Sequence, residues 1–230
     1  MTALAGMDKP SDKSDRAMSD NERSIGDQLL AELGHCLRVC AGEPAPSADN
    51  PAGDAEDGID SSRDREHSAS LMRVNHSGEV SAQALYRGQA LVARDPGLRR
   101  NLLSAAEEEG RHLKWCEERI AELNGRRSLL TPCWYAGSFA IGALAGLMGD
   151  RSSLGFLAET EAQVESHLDG HLDELPADDV RSRRILEQMR ADEARHGRDA
   201  EKAGGEPLPE AARSAMRLVS GVMTTTARYI

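Results

Sequence analysis

Apolar residues along this chain recur at intervals of three and four, and polar punctuation divides them into segments of helical length. Residues 1–24 are rich in Ser and Asp and carry no such periodicity, which predicts a disordered tail. Ile25, Leu29, Leu30, Leu33, Leu37 and Val39 form an amphipathic pattern that predicts a short helix over 25–40. From Ala41 to about Arg65 the chain holds Pro44, Pro46, Pro51, several glycines and many aspartates, the composition of a linker. From His67 onward the pattern predicts a helix to Ala93, stopped by Asp95-Pro96-Gly97, and a second from there to Leu123, ended by Asn124-Gly125. Further helices are expected over 134–149, 152–175, 178–203 and 209–230. Pro176 and Gly204-Gly205 serve as stops, and Pro209 suits a first helical turn. No segment alternates with period two for long enough to make a strand. The expectation is an all-α chain: an extension over 1–66, then a helical domain over 67–230.

Composition sharpens this picture in two places. Aromatic residues are only 3% and charged residues 29%, so the core must be built from Leu, Ala, Val and Met, which suits packed helices better than a sheet. The formal net charge of -11, with no compensating basic block, excludes nucleic acid as a partner. Part of that excess is carboxylate that a cation could neutralise. Cys36, Cys40, Cys116 and Cys133 form no CxxC pair, which argues against a disulfide framework or a zinc knuckle. Cys36 and Cys40 share one helical face and read as packing residues.

The chemistry concentrates in two ExxH motifs, Glu109-Gly110-Arg111-His112 and Glu193-Ala194-Arg195-His196. Residues three apart project from one face of a helix, so each motif offers a carboxylate and an imidazole to one metal. Glu79 precedes Glu109 by 30 residues, and Glu165 precedes Glu193 by 28. Each half therefore reads as a helix with Glu, a turn, and a helix with ExxH. This is the donor set of carboxylate-bridged di-iron and di-manganese four-helix bundles of the ferritin-like type. Four carboxylates against two divalent ions make a formally neutral cluster, which an apolar bundle tolerates. Spacing leaves rivals open: Glu107 and Glu108 beside Glu109, Asp192 beside Glu193, Glu161 one turn before Glu165, and His167 and His171 further along. Each rival reads first as a solvated residue or as a hydrogen-bond partner of a ligand.

The runs LMRVNHSGEVSAQALYRGQAL (71–91), EEEGRHLKWCEERI (107–120), ETEAQVESHLDGHL (159–172) and ADEARHG (191–197) closely resemble the bacterial demethoxyubiquinone hydroxylases. The resemblance runs from about residue 67 to the C-terminus. It implies a ferritin-like bundle with two iron ions, cycling between Fe2+ and Fe3+, on Glu79, Glu109, His112, Glu165, Glu193 and His196. It favours Glu165 over Glu161, makes Glu109 and Glu193 the bridging carboxylates, and matches His171 to a histidine near the substrate entrance. Some relatives follow that histidine with Tyr, where this chain has Leu172. The implied reaction is a monooxygenation: O2 and a reductant, NADH or another donor, add one hydroxyl to a polyprenyl-methoxy-benzoquinol late in ubiquinone biosynthesis. Membership in a protein assembly of that pathway is part of the same implication.

One segment bears on where such a substrate is met. Cys133 to Met148 is uncharged throughout. As a helix it is about 24 Å long, short of the roughly 20 residues needed to span a bilayer. It reads either as a buried core helix or as an interfacial element, with Trp134 and Tyr135 at a headgroup boundary. The last helix adds Met216, Leu218, Val219, Val222 and Met223, with Arg213, Arg217 and Arg228 alongside. A greasy substrate favours peripheral attachment to the cytoplasmic face of the cell membrane. Two other classes share parts of the pattern. A ferritin- or rubrerythrin-like iron or peroxide-handling protein would use the same ligands without needing an uncharged 133–148. A non-catalytic lipid-binding scaffold would use none of them.

Overall fold

The computed structural model describes residues 24–42 and 50–230. The predicted tail therefore lies almost wholly outside the described residues, as does 43–49. Among the described residues there are seven α-helices and no strand: α1 (Ile25–Ala41), α2 (Ser62–Val92), α3 (Pro96–Glu122), α4 (Thr131–Leu147), α5 (Asp150–Glu174), α6 (Val180–Lys202) and α7 (Glu210–Tyr229). The helix ends follow local chemistry. Asp95 caps α3 by accepting from Leu98 N at 2.7 Å, with Pro96 in the first turn, and Asp179 caps α6 by accepting from Ser182 N at 3.0 Å. Asn124 takes a left-handed φ of 56° just past α3, and Gly125 N closes the helix by donating to Ile120 O at 2.8 Å.

The chain from Cys36 to Ile230 forms one compact unit. In it α2 packs on α3, α3 on α6, α6 on α5 and α5 on α2, a closed ring of four helices, while α4 and α7 lie against α2 outside the ring. The core of the ring is two apolar layers. One gathers Leu71, Met72, Trp115, Leu168, Leu172, Ile185 and Met189; the other gathers Ala82, Tyr86, Leu98, Leu102, Leu154, Leu157 and Ala200. Every ring helix contributes to both layers, and on every one of them buried acidic or histidine residues fall between the two. Met1–His35 belongs to a separate unit, whose described part is Ser24 to His35; Leu29, Leu30 and Leu33 on it are exposed.

One feature departs from the sequence-based expectation. The segment 50–61 is not a free linker: Ala52 and Ile59 are buried in the first apolar layer. Asn50 Nδ2 donates to Glu118 at 2.8 Å, and Arg181 donates to the carbonyls of Gly53 and Ala55 at 3.1 and 2.7 Å. Asp57 pairs with the fully buried Arg119 at 3.1 Å, and Arg119 also meets Asp179 at 2.9 Å. Composition hid this because two apolar residues among many polar ones suffice to seat a strap whose backbone is satisfied by arginines. Helix α4, for which a buried core helix and an interfacial element both stood open, is buried on one face only. Thr131, Tyr135, Gly142, Ala145 and Gly146 face inward, while Ile141, Leu144, Leu147 and Met148 are exposed. No helix among the described residues is long and apolar enough to cross a membrane.

The seating of α4 on α2 depends on absent side chains. A Cβ at Gly142 would stand 2.1 Å from Leu85 O, and one at Gly88 would stand 2.2 Å from Phe139 O. The two helices thus touch backbone to backbone.

Candidate metal centre

Glu79 on α2, Glu109 and His112 on α3, Glu161 on α5, and Glu193 and His196 on α6 are all buried between the two apolar layers. Their placement follows from helix length. Glu79 is as far in sequence from Val92, the end of α2, as Glu109 is from Pro96, the start of α3. Glu161 and Glu193 stand at that same separation from Glu174, the end of α5, and Val180, the start of α6. At about 1.5 Å per residue all four carboxylates reach the same depth, about 20 Å from the turns.

The donors form two overlapping groups. Glu79, Glu109, His112 and Glu193 bring one ligand atom each within 4.8 Å of one another, and so do Glu109, Glu161, Glu193 and His196. Glu109 and Glu193 belong to both. His112 turns Nδ1 toward the carboxylates of Glu79, Glu109 and Glu193 at 3.4, 3.2 and 3.2 Å, and its Nε2 toward Asp192 at 3.2 Å. His196 does likewise: Nδ1 faces Glu109, Glu193 and Glu161 at 3.4, 3.5 and 3.8 Å, and Nε2 faces Glu108 at 3.1 Å. An Nε2–H that donates outward leaves the Nδ1 lone pair for whatever sits inside.

The electrostatics call for positive charge. Burial, with the nearby charges of Glu109 and Glu193, pushes the Glu79 carboxyl well above the usual range against the pull of the facing His112 imidazole. Burial and the adjacent Glu193 do the same to Glu161. Burial opposes charge on Glu109 too, yet the facing imidazoles of His112 and His196 hold it down at about 2. The same partners reverse the effect of burial on the imidazoles: His112 is raised well above its ordinary value and His196 to about 11. Negative charge on Glu79 and Glu161 is therefore costly unless positive charge sits beside them. Glu79 Oε2, Glu109 Oε1, Glu161 Oε2, both oxygens of Glu193 and His196 Nδ1 are buried without a hydrogen-bond partner. Such orphans are costly unless a cation takes them up. Oxygen and nitrogen donors in this number suit two divalent transition-metal ions, and the residues fit an iron pair.

Comparison with known proteins agrees with this geometry. The family described as ubiquinone biosynthesis protein COQ7 matches residues 66–227. The chain belongs to the COQ7 family. It is 56% identical over 215 residues to a 3-demethoxyubiquinol 3-hydroxylase of Ralstonia pickettii, covering 89% of this chain and 99% of that protein. It is 56% identical over 206 residues to one of Cupriavidus pinatubonensis, covering 89% and 100%. It is 54% identical over 201 residues to one of Xanthomonas euvesicatoria, covering 87% and 93%.

In this COQ7-family bundle five of the six residues implied by resemblance come together: Glu79, Glu109, His112, Glu193 and His196. The sixth does not. Glu165 is only half-buried, within electrostatic reach of Arg190, and Glu161 occupies the place expected for it. The linker between α5 and α6 has five residues where that between α2 and α3 has three, so equal depth requires a spacing of 32 to Glu193 rather than 28. Glu165 stands one turn too close to the end of α5. The rivals Asp192 and Glu108 are the outer partners of His112 and His196. His171 contacts none of the six: its Nδ1 lies 2.8 Å from Asn75 Oδ1, and its ring packs edge-on against His167 at 4.1 Å between centroids. Sequence reading missed Tyr86, whose buried hydroxyl donates to Glu161 Oε1, and Gln83, which donates to Ala106 O at 3.0 Å. The signal was present: Glu79, Gln83 and Tyr86 form one stripe at helical spacing.

Proposed function

We propose that this chain is a 3-demethoxyubiquinol 3-hydroxylase: with O2 and a reductant it adds one hydroxyl to the ring of a polyprenyl-methoxy-benzoquinol. Two iron ions would be held by Glu79, Glu109, His112, Glu161, Glu193 and His196, Glu109 and Glu193 being the residues common to both donor groups. The observation that carries this is the pair of overlapping donor groups with orphaned inward oxygens. The family match and the printed function of the relatives narrow the substrate.

Bound at this position, two ferrous ions supply the electrons that activate O2 for insertion into an aromatic C–H bond. The chain's own residues prepare the site for that chemistry. Asp192 and Glu108 fix the two imidazoles with Nδ1 inward. Tyr86 holds one oxygen of Glu161 by a hydrogen bond, leaving the other free to bind. The apolar layers above and below limit water at the centre.

The prenyl tail of the proposed substrate bears on the location. The uncharged outward face of α4, with Leu218, Val219 and Val222 on α7, supports peripheral contact with the cytoplasmic face of the cell membrane. Exchange with other proteins of ubiquinone biosynthesis fits the same reading, as does NADH or another donor as the electron source.

The test is anaerobic ferrous titration of the purified chain, followed by Mössbauer spectroscopy and O2-dependent conversion of a demethoxyubiquinol. Two coupled irons per chain and a product heavier by one oxygen atom are expected. No coupled pair, or a pair that consumes peroxide while leaving the quinol unchanged, would overturn the assignment.

A further inference from the structure

The two histidines are tied to each other from outside the centre. His112 on α3 donates through Nε2 to Asp192 on α6, and His196 on α6 donates through Nε2 to Glu108 on α3, so each imidazole is oriented by the helix opposite its own. Both acceptor carboxylates then converge on one side chain. Arg195 Nη2 lies 2.7 Å from Glu108 Oε2 and 3.0 Å from Asp192 Oδ1. Gln188 also donates to Asp192, at 3.1 Å, and Arg111 approaches Glu108 at 3.5 Å, but each of these touches one carboxylate only. Among the described residues Arg195 is the side chain with direct contacts to both.

We infer that Arg195 is a positioning residue that couples the two iron positions, by clamping Glu108 and Asp192 so that both imidazoles are oriented together. The inference rests on the ligand assignment above. Two carboxylates directed at one rim repel one another, and each is free to swing toward solvent once released. A guanidinium bridging them holds the pair at a fixed separation across the α3–α6 seam. When it is lost, Asp192 keeps Gln188 and Glu108 keeps Arg111, but nothing holds the two acceptors together across the seam, and both Nδ1 atoms lose the aim set by that clamp. Partners of this kind beyond the ligands govern metal affinity by roughly tenfold to a hundredfold. Because one residue serves both sides, its loss falls on both irons at once.

The experiment is competitive chelation of ferrous iron, under anaerobic conditions, from the full chain and from Arg195→Leu, Arg195→Lys and Arg111→Leu. Mössbauer spectra of the loaded forms accompany it, and thermal melting of each metal-free protein checks the fold. In Arg195→Leu both irons should be removed at roughly tenfold lower chelator concentration or less, with the melting transition of the metal-free protein little changed. Arg195→Lys, which keeps the charge without the planar fork, should recover part of the affinity, and Arg111→Leu should behave as the parent chain. Parent-like retention of both irons in Arg195→Leu would overturn the inference, and so would loss of one iron with the other held normally. If the parent chain itself binds no iron pair, the ligand assignment fails, and the coupling falls with it.

Discussion

The Tyr86 hydroxyl, fully buried on α2, donates to Glu161 Oε1 on the neighbouring α5, across 75 residues of sequence. Helix register brings Glu161 rather than Glu165 to the centre, and that bond holds it there. Glu161 is held with its second oxygen inward and unpartnered, whereas Glu165, one turn on, stays half-buried near Arg190. Glu161→Gln should therefore reduce bound iron from two ions per chain toward one and abolish hydroxylation, while Glu165→Gln should keep two ions and most of the activity. Iron stoichiometry after anaerobic loading decides between them; the reverse pattern would restore Glu165 as the ligand.

What the sequence made legible follows from what repeats. Helix positions were readable because Asp95-Pro96, Asn124-Gly125 and Gly204-Gly205 punctuate long periodic runs, and ExxH spacing is a local property of one helix. The choice between Glu161 and Glu165 was not local. It depends on the length of the α5–α6 linker, which shifts the whole of α6 against α5, and resemblance over a glutamate-rich run does not register a shift of one turn. The burial of Arg119 was equally out of reach, since two of its acidic partners, Asp57 and Asp179, come from a polar strap and from the cap of α6. Nothing near Arg119 in the chain distinguishes it from a surface arginine.

Arg119 is fully buried and donates to Asp57, Asp179, Glu122 and Ser182 at 2.9–3.1 Å. Removing it leaves Asp179, also buried, without its partner. Arg119→Leu should destabilise the fold by about 3–5 kcal/mol, the usual cost of stranding a buried charge. A double variant that also carries Asp179→Asn should recover part of the loss. Urea denaturation of the single and double variants measures both, and a cost below about 1 kcal/mol for the single variant would mean that water reaches Asp179.

His171 is held neutral, with its titration pulled down to about 3 by burial first and then by the charges of His167, Arg228 and His67. The unfolded chain takes up a proton at this residue near its ordinary value of 6.5, while the folded chain does not until far lower pH. Stability from this residue is therefore present above pH 6.5 and lost as pH falls toward 3, at up to about 1.4 kcal/mol per pH unit. Comparing the native chain with His171→Gln isolates the effect, because the other titrating groups are common to both. From pH 7 to pH 5 the native chain should lose about 2 kcal/mol relative to the variant in urea unfolding. Parallel pH profiles would show that His171 is solvated in the folded state.

The contact between α2 and α4 offers a test of packing. With the Cβ of residue 142 facing Leu85 O at 2.1 Å, no rotamer can relieve the clash, so the helices must separate. Gly142→Ala should destabilise by about 1–3 kcal/mol. Gly137→Ala, on the same helix with open space around it, should leave stability within about 0.5 kcal/mol of the parent. Equal effects at both sites would mean that helix propensity, and not the close approach, dominates.

The same packing turns Ile141, Leu144, Leu147 and Met148 outward, a stripe without a single charge. Small residues on the inner face and large apolar ones on the outer face invert the usual order for a helix at a protein surface. That inversion is favourable only if the outer face meets something apolar. If it is a bilayer surface, each leucine inserted contributes about 1.5–3 kcal/mol. The full chain should then sediment with phospholipid vesicles, and Leu144→Ser combined with Leu147→Ser should weaken that binding at least tenfold while leaving bound iron unchanged. Equal retention of the parent and the double variant in the supernatant would remove the membrane from the account of how the substrate is reached. It would then leave a protein partner as the surface these leucines meet.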